Sequence, residues 1–246
     1  MTWAGQAGGP DVPAAGGDLE SGPPPIAARV AAVRARIEAA ARRAGRDPGE
    51  VTLVAVGKLH PASAAAAARD AGITDLGESY PQELDAKAAA VPGVRWHMVG
   101  RLQRNKAGVI AATGALLHSL DSVKLARAVG RRAAEAGTVA EALVQLELDD
   151  REAAHGVRPG DLEAFAADCA GIEGLSLRGL MVMPAAEGDP RGVFARAREL
   201  TRLLSPDMKD LSMGMSNDLE IAVEEGATLV RVGTAIFGPR PKRRTG

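Results

Sequence analysis

The strongest constraint on this chain is a rhythm. Short β-rich runs alternate with Ala-, Arg-, Glu- and Leu-rich stretches from residue 51 to residue 237. The runs are VTLVAV (51–56), TDLGES (74–79), RWHMVG (95–100), LLHSLD (116–121), EALVQLEL (141–148), LSLRGLMV (175–182), DLSMGM (210–215) and TLVRVGTAIF (228–237). Between them lie 61–71, 80–90, 104–112, 122–136, 159–170, 190–204 and 217–225, all rich in good helix formers. Eight strands and seven intervening helices are therefore predicted. Strand–helix alternation implies a parallel sheet. Eight units in about 190 residues fit a single (β/α)8 TIM barrel of the α/β class. A doubly wound open sheet is the runner-up. It would usually carry a Gly-rich phosphate loop after the first strand, whereas here that strand runs into GKLHP, with no G-x-G-x-x-G and no Walker motif. An extra N-terminal helix, 26–44, is apolar at positions 26, 30, 33 and 37 and is stopped by Gly45 and Pro48. It is available for the eighth outer position.

The segments outside this pattern offer little to bury. Residues 1–25 are rich in Gly, Pro and Ala and are expected to be a disordered tail. Residues 26–240 are read as the barrel and 241–246 as a basic, solvated tail. Charge is balanced, with 30 Lys plus Arg against 31 Asp plus Glu. That gives no broad field for gripping nucleic acid or an anionic membrane. Aromatics make up 2%, which argues against a base-stacking platform. One cysteine, Cys169, excludes an intrachain disulfide framework and fits a reducing compartment. The N-terminus has no basic region followed by an apolar run, and no stretch approaches the roughly 20 apolar residues of a membrane span. A cytoplasmic protein is the expectation, with neither nucleic acid nor membrane as a partner.

In such barrels the active groups lie at the C-terminal ends of the strands. Lys58 stands out there. The chain has 6 lysines, and Lys58 alone follows directly on an apolar strand. A partly desolvated amine at that rim has a lowered pKa and can attack an aldehyde; a lysine that simply reaches solvent is the plain alternative. After strand seven, LSMGMSND places Ser216 where it can cap a helix starting near Asn217, whose free N–H groups favour an anion. Arg231, Gly233 and Thr234 follow on strand eight. Loops after strands seven and eight are the usual phosphate site of this barrel. Each signal alone has a structural explanation, a plain N-cap or a packing glycine. Together, opposite a strand-one lysine, they suggest a ligand with an aldehyde at one end and a phosphate at the other. Pyridoxal 5′-phosphate (PLP) is such a ligand, and a sugar phosphate bound as a Schiff base fits the same anchors. His97 is either a proton shuttle or ligand contact, or a satisfied histidine at a strand end. His118 reads as structural, and His60 and His155, in loops, suggest nothing. No histidine pair has metal-ligand spacing with a carboxylate. Glu78 and Asp121 lie at strand ends, but sequence offers neither a partner.

The run VAVGKLHP resembles the lysine segment of the YggS-like pyridoxal phosphate homeostasis family, usually AVSK-x-x-P. The resemblance continues through DLGESYPQE, WHMVGRLQRNK, HSLDSVKLA, LRGLMVMP, LSMGMSNDLEIAVEEGAT and VRVGTAIFG, over about residues 26–240. It implies an alanine racemase N-terminal-domain-like barrel. It further implies that Lys58 forms an aldimine with PLP, and that Ser216, Gly233 and Thr234 hold the phosphate. Arg231 would face the pyridine nitrogen, and Ser79, His97 and Met183 would line the pocket. Two positions depart from the family pattern: Ser79 replaces the asparagine of GENY, and Gly57 replaces the serine of AVSK.

The function implied is PLP holding and intracellular PLP homeostasis without strong catalysis, with transient contact with PLP-dependent apo-enzymes and a monomeric state as further expectations. A single-domain amino-acid racemase is the alternative, and a Schiff-base lyase a third. Two-base racemisation needs an acid/base on each face of the cofactor. The chain has one tyrosine, Tyr80, and no second domain after strand eight is expected to close the site. The lyase needs a second lysine or a catalytic carboxylate near Lys58, and the strand ends offer no second lysine.

Overall fold

The computed structural model describes residues 24–148, 155–185 and 188–239. The tails expected at 1–25 and 241–246 lie outside the described residues, apart from Pro24 and Pro25. Eight strands form: β1 Thr52–Val56, β2 Asp75–Glu78, β3 Arg95–Met98, β4 Leu116–Leu120, β5 Ala140–Gln145, β6 Leu175–Met181, β7 Asp210–Ser212 and β8 Leu229–Val232. Each pairs in parallel with the next, and β8 closes on β1 with Thr52 opposite Leu229 and Val54 opposite Arg231. The expected (β/α)8 barrel is what forms. Among the described residues no helix is long and apolar enough to cross a membrane, and no three His, Cys, Asp or Glu residues cluster as a metal site.

The helices are α1 Ile26–Arg43, α2 Ala62–Asp70, α3 Pro81–Ala90, α4 Gly108–Thr113, α5 Val123–Glu135, α6 Leu162–Ala170, α7 Arg191–Arg202, α8 Leu219–Glu224 and α9 Thr234–Phe237. Helix α1 buries Val30, Val33, Ile37, Ala40 and Ala41 along one face and packs against α8 and α2, so it takes the eighth outer place. Burying a side chain such as Val33 or Ile37 is worth about 1.5–3 kcal/mol. Two arginines of α1 fasten its rim: Arg36 reaches Glu220 at 2.6 Å and Arg43 reaches Glu224 at 2.9 Å.

Side chains alternate across each strand. Val54 and Val56, Leu116, Leu143, Met181 and Leu229 turn inward and fill part of the barrel. Leu53, Leu76, Met98, Leu117, Leu211, Val230 and Val232 turn outward and meet the helices in the larger core. On β2 this parity sends Asp75 and Gly77 inward, and Leu76 and Glu78 outward. At Gly77 an added Cβ would press on Val54 and Val56 at 3.1 and 3.2 Å.

Every strand is shorter than its sequence run, and two are cut to half or less. The run 228–237 stops at Val232. At Gly233 the backbone leaves the β region, with φ −110° and ψ −77°, and Thr234–Phe237 coils into α9. The carbonyl of Val56 lies 3.1 Å from where a Cβ would stand on Gly233, so the turn there is packed closely against β1. The run 210–215 stops at Ser212, because Gly214 adopts φ +88° and any Cβ on it would meet that of Ala222 at 2.5 Å. Both breaks fall at the barrel mouth and make the loops that line it.

Candidate functional site

A cavity of about 610 Å³ opens at the C-terminal ends of the strands. Of the eight residues singled out from sequence, seven line it: Lys58, Ser79, Met183, Ser216, Arg231, Gly233 and Thr234. They come from the ends of β1, β2, β6, β7 and β8, as the barrel rule expects.

The turn carrying Lys58 is held hard. Gly57 N–H donates to Gly77 O at 2.9 Å, and His60 N–H donates to Gly57 O at 3.0 Å. Between them Leu59 has φ +66°, the one described non-glycine residue with positive φ. Such a conformation costs about 1–3 kcal/mol and persists only when neighbours over-determine it. The neighbours here are ionic. Glu83 of α3 accepts the Leu59 N–H at 2.9 Å. Lys87, also on α3, donates to Gly57 O at 2.9 Å, to Glu78 Oε1 at 2.6 Å and to Glu83 Oε2 at 2.9 Å. Glu78 is fully buried, and its Oε2 has no hydrogen-bond partner. Burial pushes its carboxyl up to about 7, against the opposing pull of Lys87. A second lysine thus does sit beside the Lys58 turn. It is committed to two carboxylates and a carbonyl in the wall behind the cavity.

Arg231 occupies the inner wall. It is buried and makes no ion pair among the described residues. Its Nη1 donates to Ser212 Oγ at 2.6 Å and its Nη2 to Val182 O at 3.1 Å. Burial lowers its pKa to about 10, with only the charge of Asp218 opposing, so it stays cationic at neutral pH. Ser216 does not cap the helix that follows it: α8 begins at Leu219, and the hydroxyl instead accepts the Ala235 N–H at 3.4 Å, at the start of α9. That contact draws the loops after β7 and β8 together. His60, which sequence alone gives no role, lines the cavity with its ring 5.4 Å from that of Phe237. Its place two residues after Lys58, in the same tight turn, was the available signal.

Residues 29–241 match the family model described as alanine racemase, N-terminal domain. The pyridoxal phosphate homeostasis protein of Pseudomonas aeruginosa is 41% identical over 220 residues, covering 87% of this chain and 96% of that protein. That of Escherichia coli K12 is 40% identical over 227 residues, covering 87% and 97%. The chain belongs to the pyridoxal phosphate homeostasis family. PipY of Synechococcus elongatus, solved with PLP bound, superposes with a TM-score of 0.77 at 36% identity, over 87% of this chain and all of that one. Alanine racemase of Corynebacterium glutamicum, at 17% identity and a TM-score of 0.64, shares the fold.

Within the family frame one site assignment needs correcting. His97 does not line the cavity. It is fully buried inside the barrel, with Nε2 2.9 Å from Asp75 Oδ1 and Nδ1 2.9 Å from His118 Nε2. The reason is parity and height: β3 turns His97 inward one layer below the mouth, where Asp75 and His118 from the neighbouring strands take both its ring nitrogens. Of the two family departures, Ser79 faces the cavity. Gly57 lies behind it, where a Cβ would come within 3.3 Å of Glu78 Oε1.

Proposed function

We propose that this protein holds PLP in the strand-end cavity through Lys58 and takes part in intracellular PLP homeostasis. One observation carries the reading. A single cavity is lined by a lysine on an over-determined turn, by two hydroxyls from the loops after β7 and β8, and by a buried guanidinium without a carboxylate. The donor set fits the cofactor: an amine for an aldehyde, hydroxyl groups for a phosphate, and a permanent donor for a ring nitrogen. The names of the curated relatives, and the PLP-bound state of PipY, support it.

PLP, when bound, supplies an aldehyde that condenses reversibly with an amine and a ring able to store electrons. The chain's own groups do the rest. The rigid 57–60 turn presents the Lys58 amine. Ser216 and Thr234 offer hydroxyls where the loops meet. Arg231 has only N–H donors, so beside a ring nitrogen it supplies a hydrogen bond and accepts no proton. That arrangement favours holding over carbanion chemistry. The single tyrosine, Tyr80, is half exposed at the start of α3 and does not line the cavity, which weakens the racemase alternative. Met183, also half exposed, leaves one side of the mouth open to solvent. Transient contact with apo-enzymes, a monomeric state that keeps the mouth uncovered, and a cytoplasmic place of action complete the proposal.

The test is borohydride reduction of PLP-loaded protein followed by peptide mapping. The expected label is on Lys58, and Lys58→Ala should lose the visible absorption band while keeping the far-UV circular dichroism of the parent. A label on another lysine, or an unchanged band in Lys58→Ala, overturns the assignment.

A further inference from the structure

A continuous line of hydrogen bonds runs through the barrel interior and ends on Arg231. Asp75 Oδ1 meets His97 Nε2 at 2.9 Å, and His97 Nδ1 meets His118 Nε2 at 2.9 Å. His118 Nδ1 meets Ser212 Oγ at 2.9 Å, and Ser212 Oγ accepts from Arg231 Nη1 at 2.6 Å. The five residues come from β2, β3, β4, β7 and β8. All are buried. Arg231 lines the mouth cavity, while Asp75, at the other end, lines a separate cavity of about 410 Å³ together with residues that precede or begin β1.

The protons in this line have one consistent placement. Arginine only donates, so Ser212 Oγ accepts from Arg231. At the far end Thr74 donates to Asp75 Oδ2 at 2.7 Å. Burial raises the Asp75 carboxyl, but the bonds from His97 and Thr74 outweigh it and hold the group below its ordinary value, so it is ionised. An ionised carboxylate needs His97 to donate from Nε2. Both histidines are held neutral, burial being the largest cause for each. A neutral His97 that donates from Nε2 must accept at Nδ1. His118 therefore donates from Nε2 and accepts at Nδ1, and the proton on Nδ1's partner is that of the Ser212 hydroxyl. Every donor in the line points the same way, from the guanidinium to the carboxylate. The opposite arrangement would set two acceptors, His97 Nε2 and Asp75 Oδ1, against each other at 2.9 Å.

We propose that Asp75, His97 and His118 are positioning residues that fix the Ser212 hydroxyl with its lone pair toward Arg231, and so hold the guanidinium at the inner wall with its remaining N–H groups available to a ligand in the cavity. None of the three touches the cavity; they act through Ser212. The role toward PLP rests on the function proposed above. The proton order itself does not, because it is a property of the PLP-free protein. Substitution at Asp75 removes the anionic end that orders the two imidazoles, and leaves Arg231 held by a hydroxyl free to turn.

The first measurement is the ¹⁵N spectrum of labelled imidazoles in PLP-free protein at pH 7–8. Both His97 and His118 are expected as Nε2–H tautomers, and Asp75→Asn is expected to give mixed tautomers at both. The second is the visible band of PLP-loaded protein. Asp75→Asn and His118→Phe should move it in the same direction as Arg231→Lys, whereas His118→Asn, whose side-chain oxygen stands near the former Nδ1 and accepts from Ser212, should restore the parent position. Should His118→Phe fail to fold, Asp75→Asn and the tautomer assignment decide. An Nδ1–H tautomer at either histidine overturns the line, as does a parent-like band in Asp75→Asn when Arg231→Lys shifts it. Parent protein that shows no band with PLP overturns the cofactor assignment instead, so the two failures are read separately.

Discussion

Strand β2 carries two buried carboxylates three residues apart, on opposite faces, and they meet opposite fates. Asp75 points into the barrel and receives donors on both oxygens, from His97 and Thr74. Its carboxyl is held below the ordinary range although burial works against it. Glu78 points out toward α3, shares the single ammonium of Lys87 with Glu83, and has one oxygen with no partner. Its carboxyl is pushed up to about 7. Glu78 is fully buried, while Asp75 keeps a little exposure beside its own cavity, so burial weighs more on Glu78. The number of donors per oxygen widens the difference and gives the two shifts opposite signs. The inner carboxylate anchors a fully paired line that ends on the ligand cavity. The outer one is half-satisfied, and it braces the strained turn that carries Lys58.

The sharpest way to break that contrast is to remove the shared cation. Lys87→Met leaves Glu78 and Glu83 facing each other in the wall and takes a donor from Gly57 O. Losing one partner of a buried pair typically costs about 3–5 kcal/mol. The expected result is a loss of that order in urea unfolding at pH 8, with a smaller loss at pH 5, where Glu78 holds a proton. PLP retention should fall as well, because the 57–60 turn loses its brace. A loss below about 1 kcal/mol at pH 8 would put this pair in the class of surface ion pairs.

How much of this could be read from the chain alone differs between the two faces. The barrel itself was readable, because alternating patterns and helix formers repeat eight times, and strand ends name the mouth residues Lys58, Ser216 and Arg231 by position. The leading helix is legible for a related reason: its apolar face at 30, 33 and 37 needs a partner. The inner line was not readable. Whether His97 points into the cavity or below it depends on strand register and on what Asp75 and His118 offer from neighbouring strands, and sequence does not give register. The outer cluster escaped for a different reason. Lys87 lies 29 residues beyond Lys58, in the middle of a helix that looked ordinary, and it comes near only because α3 folds back over the ends of β1 and β2. The left-handed Leu59 is a consequence of that cluster, so it too was hidden.

A second way to sharpen the contrast is through pH, because the two carboxylates have opposite signs. For Glu78 the folded value, about 7, lies above its ordinary 4.5. The folded state then holds the proton where the unfolded state has released it. Its contribution to stability is full below about 4.5 and falls as pH rises through about 7. At ~1.4 kcal/mol per tenfold change in proton affinity, the fall is about 3 kcal/mol. Glu78→Gln should remove that decline, leaving a flatter profile between pH 5 and 8. For Asp75 the folded value is depressed, so its contribution is present above the ordinary aspartate range and lost as pH falls through the folded value. Asp75→Asn should flatten the acid side instead. Unfolding free energies measured across pH 3–8 for both variants decide it. Matching profiles for the two would show that the faces do not differ as described.

The smallest expected effect concerns the missing donor itself. Gly57 stands where the family usually has serine, and a Cβ there would lie 3.3 Å from Glu78 Oε1 and 3.7 Å from the Phe237 ring. A serine hydroxyl at that point is within reach of the half-satisfied carboxylate, and toward the ionised form it acts as a donor, which favours that form at pH 8. Gly57→Ser should therefore lower the Glu78 pKa toward its ordinary value, make the pH-dependent decline in stability smaller and end it at lower pH, and add about 1 kcal/mol at pH 8, the usual net worth of one hydrogen bond. Asp75, already supplied with two donors on the other face, should be untouched, and the acid side of the profile should keep its shape. If the variant is instead less stable at every pH, the Phe237 ring is too close for the added atoms, and the orphaned oxygen of Glu78 marks tight packing behind Lys58 and not a place left open by the lost serine.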